Sequence, residues 1–409
     1  MKVYKLLYTV IFLLGILAVS CGNDPIFFII STETVPKPPL IPGGPTNMVI
    51  FEREYLSDPA NPDSEVKTIS LLFVASGRLH WYGKPPNTNE QPEWDRDYGI
   101  PQPGGKIIAL AVAGKRLYAL CLNGNTLNAT LHYIERSDAQ WKEVRGTADS
   151  YPLIQSIYAD PDKPQLFASA RKSNGTAYAL LYLDDTNTLR MLKPDSSMLT
   201  GVVYRKDTYY LCTQGDGIFQ IADKNISTSI KQAVNNKQTF MGMIKLEDDT
   251  IIAVERNGGA LYEVKDGSYS QIFSDRGNSI TVGRYATGAL ALWEDRLDPG
   301  KKLLVAGIQG GLFSTSSSSF TNGYVEFELT QEGSLNKNAP RHDSNSLQTV
   351  NDTDRYTTSL GKRPINHLFQ TPKKIDPDMI FFASTQTTGL WSYRYRDDNG
   401  GWQWNAEEE

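Results

Sequence analysis

Cysteine and histidine are scarce in this chain of 409 residues, which holds three of the former and four of the latter. Beyond Cys21 only Cys121 and Cys212 remain, which excludes a disulfide-stapled scaffold and a cysteine-rich zinc cluster. His80 and His132 recur in the phrases Leu79-His80-Trp81 and Leu131-His132-Tyr133. Zinc asks for three or four ligands, so both are expected to be structural and no metal is expected. There is no run of Lys or Arg, and the net charge is -5, which argues against nucleic acid and against a polybasic lipid-binding patch. Helical periodicity is nearly absent. No His-Glu-x-x-His, Gly-x-Ser-x-Gly or phosphate-binding glycine loop occurs, so no catalytic motif is found and no cofactor is expected.

What the chain does have is one phrase repeated: an apolar strand, a glycine turn, and a second apolar-aromatic strand. It reads Leu211-Cys212-Thr213-Gln214-Gly215-Asp216-Gly217-Ile218-Phe219 and then Ala253-Val254-Glu255-Arg256-Asn257-Gly258-Gly259-Ala260-Leu261-Tyr262. It returns from Val305 to Phe313 and from Ala383 to Trp391. Repeats of strands and tight turns at a period of roughly 40–50 residues mark a propeller.

The third repeat carries the whole unit: Leu153 to Tyr158, Gln165 to Ala170, Ala177 to Leu183 and Thr188 to Leu192. The same template starts at Met48, Ile107, Leu199, Phe240, Ala289 and Ile365. An all-β, seven-bladed propeller of four-stranded antiparallel blades is therefore expected, with each blade owning its fourth strand. When the repeats are aligned, Cys121 and Cys212 share one position in non-adjacent blades, too far apart for a disulfide; both are expected to be buried thiols. Asp58-Pro59, Asp160-Pro161, Asp298-Pro299 and Asp376-Pro377 fall between first and second strands and are read as turn chemistry rather than calcium ligands.

Lys2 and Lys5, the apolar run Leu6 to Leu17, and Leu17-Ala18-Val19-Ser20-Cys21 together resemble a bacterial lipoprotein signal. The resemblance implies cleavage after residue 20, a lipidated Cys21, and a body in the cell envelope, on the periplasmic or cell-surface side of the outer membrane. The run itself is too short to span a bilayer. Residues 21–46 include the proline-rich stretch Val35 to Pro45, a semi-rigid spacer, and the propeller is expected over 47–409. The apolar segment Phe27 to Ile30 is expected to pack on the body.

The Asp-Pro turns and the Leu-Phe-Ala-Ser and Gly-Leu-Phe/Trp-Ser phrases resemble the bacterial BNR/sortilin-type repeat propellers. Their Asp-box survives only as fragments, Ser137-Asp138-Ala139-Gln140-Trp141 and Asp398-Asn399-Gly400-Gly401-Trp402. Sialidases share such repeats and carry Arg-Ile-Pro; here only the scrambled Arg363-Pro364-Ile365 occurs. The expected function is non-enzymatic: a lipid-anchored, monomeric binding or scaffold module for a protein, peptide or glycan. A glycan-cleaving enzyme using the same face is the alternative.

Two features carry that expectation. One is a ring of polar residues beside the turns between second and third strands: Asn123, Arg171, Gln214, Arg256, Gln309 and Gln386, with Ser76 in the first blade. Long amide and guanidinium groups suit peptide or small polar ligands, or they simply cap turns. The other is a long insertion at about 331–364, which holds Arg341, His342, Arg355 and Tyr356 and is either a recognition loop or an unspecific excursion. The alternating aromatics Trp391, Tyr393 and Tyr395 fit blade packing better than sugar stacking.

The N-terminal reading has a direct check. Cys21→Ser should move the protein from the membrane fraction to the soluble fraction of lysed cells, and mass spectrometry of the wild-type N-terminal peptide should find acyl chains on Cys21.

Overall fold

The computed structural model describes residues 40–407 except 42–43, 59–60, 62, 86–87, 125–127, 147–149, 174, 228–229, 233–236, 283–285, 309–322, 339–359, 361–362, 387 and 397–400. Seven sheets follow one another along the chain. Blade 1 is β1 (Met48–Leu56), β2 (Val66–Ser76), β3 (Arg78–Gly83) and β4 (Glu93–Trp94). Blade 2 is β5 (Lys106–Ala113), β6 (Arg116–Leu122), β7 (Ala129–Glu135) and β8 (Lys142–Glu143). Blade 3 is β9 (Leu153–Ala159), β10 (Leu166–Arg171), β11 (Tyr178–Leu183) and β12 (Leu189–Ser196). Blade 4 is β13 (Leu199–Arg205), β14 (Thr208–Thr213), β15 (Ile218–Ala222) and β16 (Lys231–Gln232). Blade 5 is β17 (Phe240–Lys245), β18 (Ile251–Glu255), β19 (Leu261–Lys265) and β20 (Ser268–Gln271). Blade 6 is β21 (Ala286–Asp295), β22 (Asp298–Ile308) and β23 (Tyr324–Glu328). Blade 7 is β24 (Ile365–Gln370), β25 (Phe381–Thr385), β26 (Leu390–Arg396) and β27 (Gly401–Ala406).

Each sheet is an antiparallel meander of consecutive strands, so the fold is the seven-bladed propeller that the repeats predict, and all seven expected blade starts lie on first strands. Blade 6 shows three strands among the described residues. There Leu329 bridges Leu335 and the Asn336 amide donates to the Glu328 carbonyl at 3.0 Å, which turns the chain back along β23. Residues 331–334, expected to open the long insertion, thus form a turn between third- and fourth-strand positions; most of the insertion lies outside the described residues, as do Phe27 to Ile30.

Neighbouring first strands touch in the order β1, β5, β9, β13, β17, β21, β24 and back to β1. What holds them is alternation with both faces apolar. In blade 2, Leu110, Val112, Leu117, Ala119 and Cys121 pack toward blade 1, while Ala111, Ala113, Tyr118, Leu120 and Leu131 pack toward blade 3. A strand puts successive side chains on opposite faces, so a sheet covered on both sides needs near-continuous apolar runs. Every hydrophobic cluster of the body straddles one pair of adjacent blades. Each fully buried Leu or Phe contributes roughly 1.5–3 kcal/mol, which makes these interfaces the main source of stability.

Among the described residues the seam between blades 7 and 1 closes the ring with no strand exchanged between the two blades. Ile41, Met48, Leu72 and Val74 pack against Ile375, Ile380, Phe382 and Leu390. The Tyr82 hydroxyl donates to Asp376 Oδ2 at 2.6 Å. Glu407 accepts from Trp94 Nε1 and from Arg394 Nη2, both at 2.8 Å. The entering chain is tied to both blades: the Leu40 amide donates to Glu407, the Thr46 amide to Ala75, and Ser384 Oγ to the Pro45 carbonyl.

Between blades 5 and 6 the first strands approach backbone to backbone. A Cβ on Gly242 would meet the Gly288 carbonyl, and one on Gly288, at φ +86°, would meet the Met241 carbonyl. Gly242→Ala and Gly288→Ala should each cost about 1–3 kcal/mol in urea unfolding through forced strain, whereas Gly104→Ala, with open space around it, should leave the midpoint unmoved. Tyr82→Phe leaves the buried Asp376 carboxylate short of a donor, and a loss of about 1–3 kcal/mol is expected; Tyr82→Phe with Asp376→Ala should fall well short of the summed single losses.

Candidate functional site

The turns after second strands and the connections into first strands share one face. The Gln214 amide donates to Met198, the Arg256 amide to Thr239 and the Gln386 amide to Pro364, at 2.9–3.0 Å. On this face the first strands carry a β-bulge against the second strand: the register shifts at Ile107/Ala109, Leu199/Gly201, Phe240/Gly242, Ala286/Leu290 and Ile365/His367, and in blade 3 at Ser169/Ala170. Bulges re-aim side chains and cluster beside functional sites. Several groups near them tie blade to blade. Asn47 makes two hydrogen bonds to the Leu110 backbone. Ser156 Oγ donates to Leu199 and Thr200 Oγ1 to Phe240, both at 2.9 Å.

The bulge register shows which members of the polar ring are truly equivalent. Arg171, Gln214, Arg256 and Gln386 each follow the strand residue paired at the bulge. In blade 2 that place belongs to Leu122, and Asn123 stands one residue farther out. Asn123, Arg256 and Gln386 are exposed; Arg171 and Gln214 are half-buried. The amides of Gln214, Arg256 and Gln386 close the turns through their backbone. Arg171 Nε is buried without a hydrogen-bond partner in the structure. Ser76 ends β2. Gln309, Arg341, His342, Arg355, Tyr356 and Cys21 lie outside the described residues.

The same register corrects the cysteine alignment. Cys121 pairs with Ile107, ahead of the bulge, whereas Cys212 pairs with Gly201, beyond it. They are therefore one position apart and point to opposite faces of their blades: Cys121 packs toward blade 1 and Cys212 toward blade 5. Both are buried free thiols, as expected, and burial pushes each up to about 12.

Several aspartates are committed to structure. Asp160 Oδ1 accepts from the Asp162 amide within its turn, and Oδ2 accepts from the Tyr204 amide of the next blade. Asp376 repeats the device, with Oδ1 on the Asp378 amide and Oδ2 on Tyr82. His80 Nδ1 lies 2.9 Å from Asp95 Oδ2, and its Nε2 accepts from Arg78 Nε. Burial opposes ionisation of Asp95, but hydrogen bonds from His80 and the Trp81 amide outweigh it and pull the carboxyl down. Hydrogen bonds from Thr186 and Arg190 pull Asp184 down, and those from Lys172 and Tyr151 do the same for Asp195. For Asp138 burial again opposes, and the Glu135 amide and Lys142 prevail. Among the described residues no group of three or more His, Cys, Asp or Glu could hold a metal ion.

The aromatic stripe is packing. Tyr393 is fully buried and stacks on Trp402 with centroids 5.2 Å apart, and the Arg363 guanidinium covers Trp391 at 4.6 Å. Sequence reasoning did not single out Lys106, which opens β5 on this face, or Lys237, beside Gln238, whose carbonyl accepts from the Gly217 amide. The charge of each was plain, but only the strand register reveals the shared face. His367 was also missed: it lies on β24 just past the bulge, with Nδ1 buried and without a partner in the structure.

No family model matches this sequence, and no curated protein matches it. Solved structures do, all at low identity. An ancestral GH74 enzyme aligns with TM-score 0.50 and 13% identity over 92% of this chain and 48% of its own. YCF48 bound to D1 peptide gives 0.47 and 11% over 88% and 96%. Virginiamycin B lyase from Staphylococcus aureus gives 0.47 and 12% over 85% and 94%. The chain thus spans about half the length of the GH74 enzyme. At such identities the likeness is one of fold alone.

Burial pulls His367 down to about 4, below an unfolded value of about 6.5. The unfolded chain then binds more protons between those two values, so stability falls as pH drops through that window. Burial lowers His132 as well. Thermal midpoints should be flat above about pH 7 and fall from pH 6.5 toward 4, and His367→Gln should make that fall shallower.

Proposed function

We propose that the protein is an envelope-anchored, non-enzymatic binding module that presents the bulged face of its propeller to a partner. The observation that carries this reading is the repeated use of one position: Arg171, Gln214, Arg256 and Gln386 stand at equivalent places around the ring, with a backbone amide closing the turn in three of the four. Hydrogen-bonding side chains on a rigid scaffold suit recognition. Glycan cleavage would need a carboxyl pair with one member raised so that it can act as an acid. Among the described residues, hydrogen bonds pull down the carboxyls of Asp95, Asp138, Asp184 and Asp195, which suits structural anions rather than proton donors. Lipid on Cys21 would tether the ring to the outer membrane with residues 21–46 as spacer.

The test uses a photo-crosslinking amino acid in living cells. Installed at Arg256 or Gln386, it should give one discrete adduct, and at Lys163 or Lys374 on the opposite face it should give none. Combined Arg171→Ala, Arg256→Ala and Gln386→Ala should weaken adduct formation from a probe at Gln214 at least tenfold with an unchanged thermal midpoint. Turnover of fluorogenic glycosides by the purified protein would overturn the reading.

A further inference from the structure

We infer that the occupant of this face is an acidic, extended polypeptide segment, recognised by a base-rich rim; the inference rests on the reading of the face given above. The chain as a whole is acidic, at -5, yet the bulged face carries more bases than acids among the groups named next. On the bulged face stand Lys106, Arg171, Lys172, Lys237 and Arg256, with Asp195, Asp216 and Glu255, the ion pair Arg78–Asp95 and the adjacent Asp275 and Arg276. Besides Asp95, two of those acids are already engaged. Asp216 Oδ2 accepts from Ser196 Oγ at 2.8 Å and from the Ser197 amide at 2.7 Å. Asp195 pairs with Lys172 and accepts from the Tyr151 hydroxyl at 2.8 Å. Among the described residues no ion pair engages Lys106, Arg171, Lys237 or Arg256. The opposite face holds the turn-capping carboxylates Asp160, Asp184, Asp248 and Asp376 together with lysines such as Lys163 and Lys374. Unpaired bases on one rim steer a partner of opposite charge to that side of the disc.

The side-chain chemistry narrows the class. Arginine forks match carboxylates two bonds at a time, and Arg171 keeps a buried Nε–H without a partner in the structure. Gln214 and Gln386 at equivalent places each offer a donor and an acceptor, the complement of a peptide group. Sugar recognition favours an exposed aromatic platform. Tyr151, Tyr262 and Trp391 near this face are only 3%, 9% and 7% exposed, and Phe273, in the connection from blade 5 to blade 6, is a single exposed aromatic ring there. The amides of Gln214 and Gln386 beside the guanidiniums therefore favour an acidic peptide, and the oligogalacturonide arm of the test separates it from an acidic glycan.

The purified full-length chain is tested by fluorescence polarisation with three labelled probes: a ten-residue Asp/Glu/Ser peptide, its Asn/Gln/Ser counterpart, and an oligogalacturonide. The acidic peptide should bind, at least tenfold tighter than the neutral one, and weaken steeply between 50 and about 300 mM salt, as screening dictates. Arg171→Glu with Arg256→Glu should abolish binding, Lys106→Glu with Lys237→Glu should weaken it at least threefold, and Lys163→Glu with Lys374→Glu should leave it unchanged. Thermal midpoints of all variants confirm folding. Preference for the oligogalacturonide, equal binding of the neutral peptide, or indifference to the arginine reversals would overturn the inference. If cellular crosslinks still map to Arg256 and Gln386 in that event, the face reading stands and only the charge inference fails; if they map elsewhere, both fail.

Discussion

A sheet buried on both faces is the constraint from which this molecule is built. No blade can hide its apolar surface alone, because each strand sends alternate side chains left and right. Leu120 of β6 needs blade 3 as much as Cys121 on the same strand needs blade 1. Satisfying both sides of every sheet forces the chain to return to its start, and the seam of Ile41, Met48, Val74, Phe382 and Leu390 is where the last face meets the first. Polar groups then fix the angle at which the ends meet. Asp376 reaches Tyr82, and Glu407 gathers Trp94 and Arg394.

The same geometry separates two kinds of polar chemistry. On one face, aspartates cap tight turns and in two blades also reach the neighbouring strand, as Asp160 does to Tyr204 and Asp376 to Tyr82. Those carboxylates are used up by architecture. On the other face the bulges loosen the ladder, small side chains such as Ser156, Thr200 and Ser384 bridge neighbouring blades, and the long amides and guanidiniums follow the bulges. The aspartates that cap first-to-second-strand turns thus sit at one end of the strands, and the long side chains that follow the bulges at the other. A solvent-facing asymmetry of this kind arises without any net basic character in the chain.

Much of the architecture was legible in the sequence because glycine turns and apolar runs are local signals. The starts at Met48, Ile107, Leu153 and Ile365 depend only on where a turn stops and β-branched or aromatic residues resume. The bulges were not legible, since an extra residue such as Met241 or Asn366 looks like any other strand residue until its partner is known. That blindness caused the misalignment of Cys121 with Cys212, and it also made Asn123 stand in for Leu122. His80 and His132 both pair with apolar second-strand residues, Val74 and Ala119. The commitment of Asp160 and Asp376 to neighbouring blades is a contact across separate parts of the chain, which spacing alone does not encode.

Native-state hydrogen exchange by mass spectrometry tests the closed ring most directly. Amides of β1 and β24, which flank the seam, should exchange as slowly as those of β9 and β13 and only through global unfolding. Exchange of β1 and β24 tens of times faster than the other first strands, at a lower opening free energy, would show that the ends merely abut and would contradict the account.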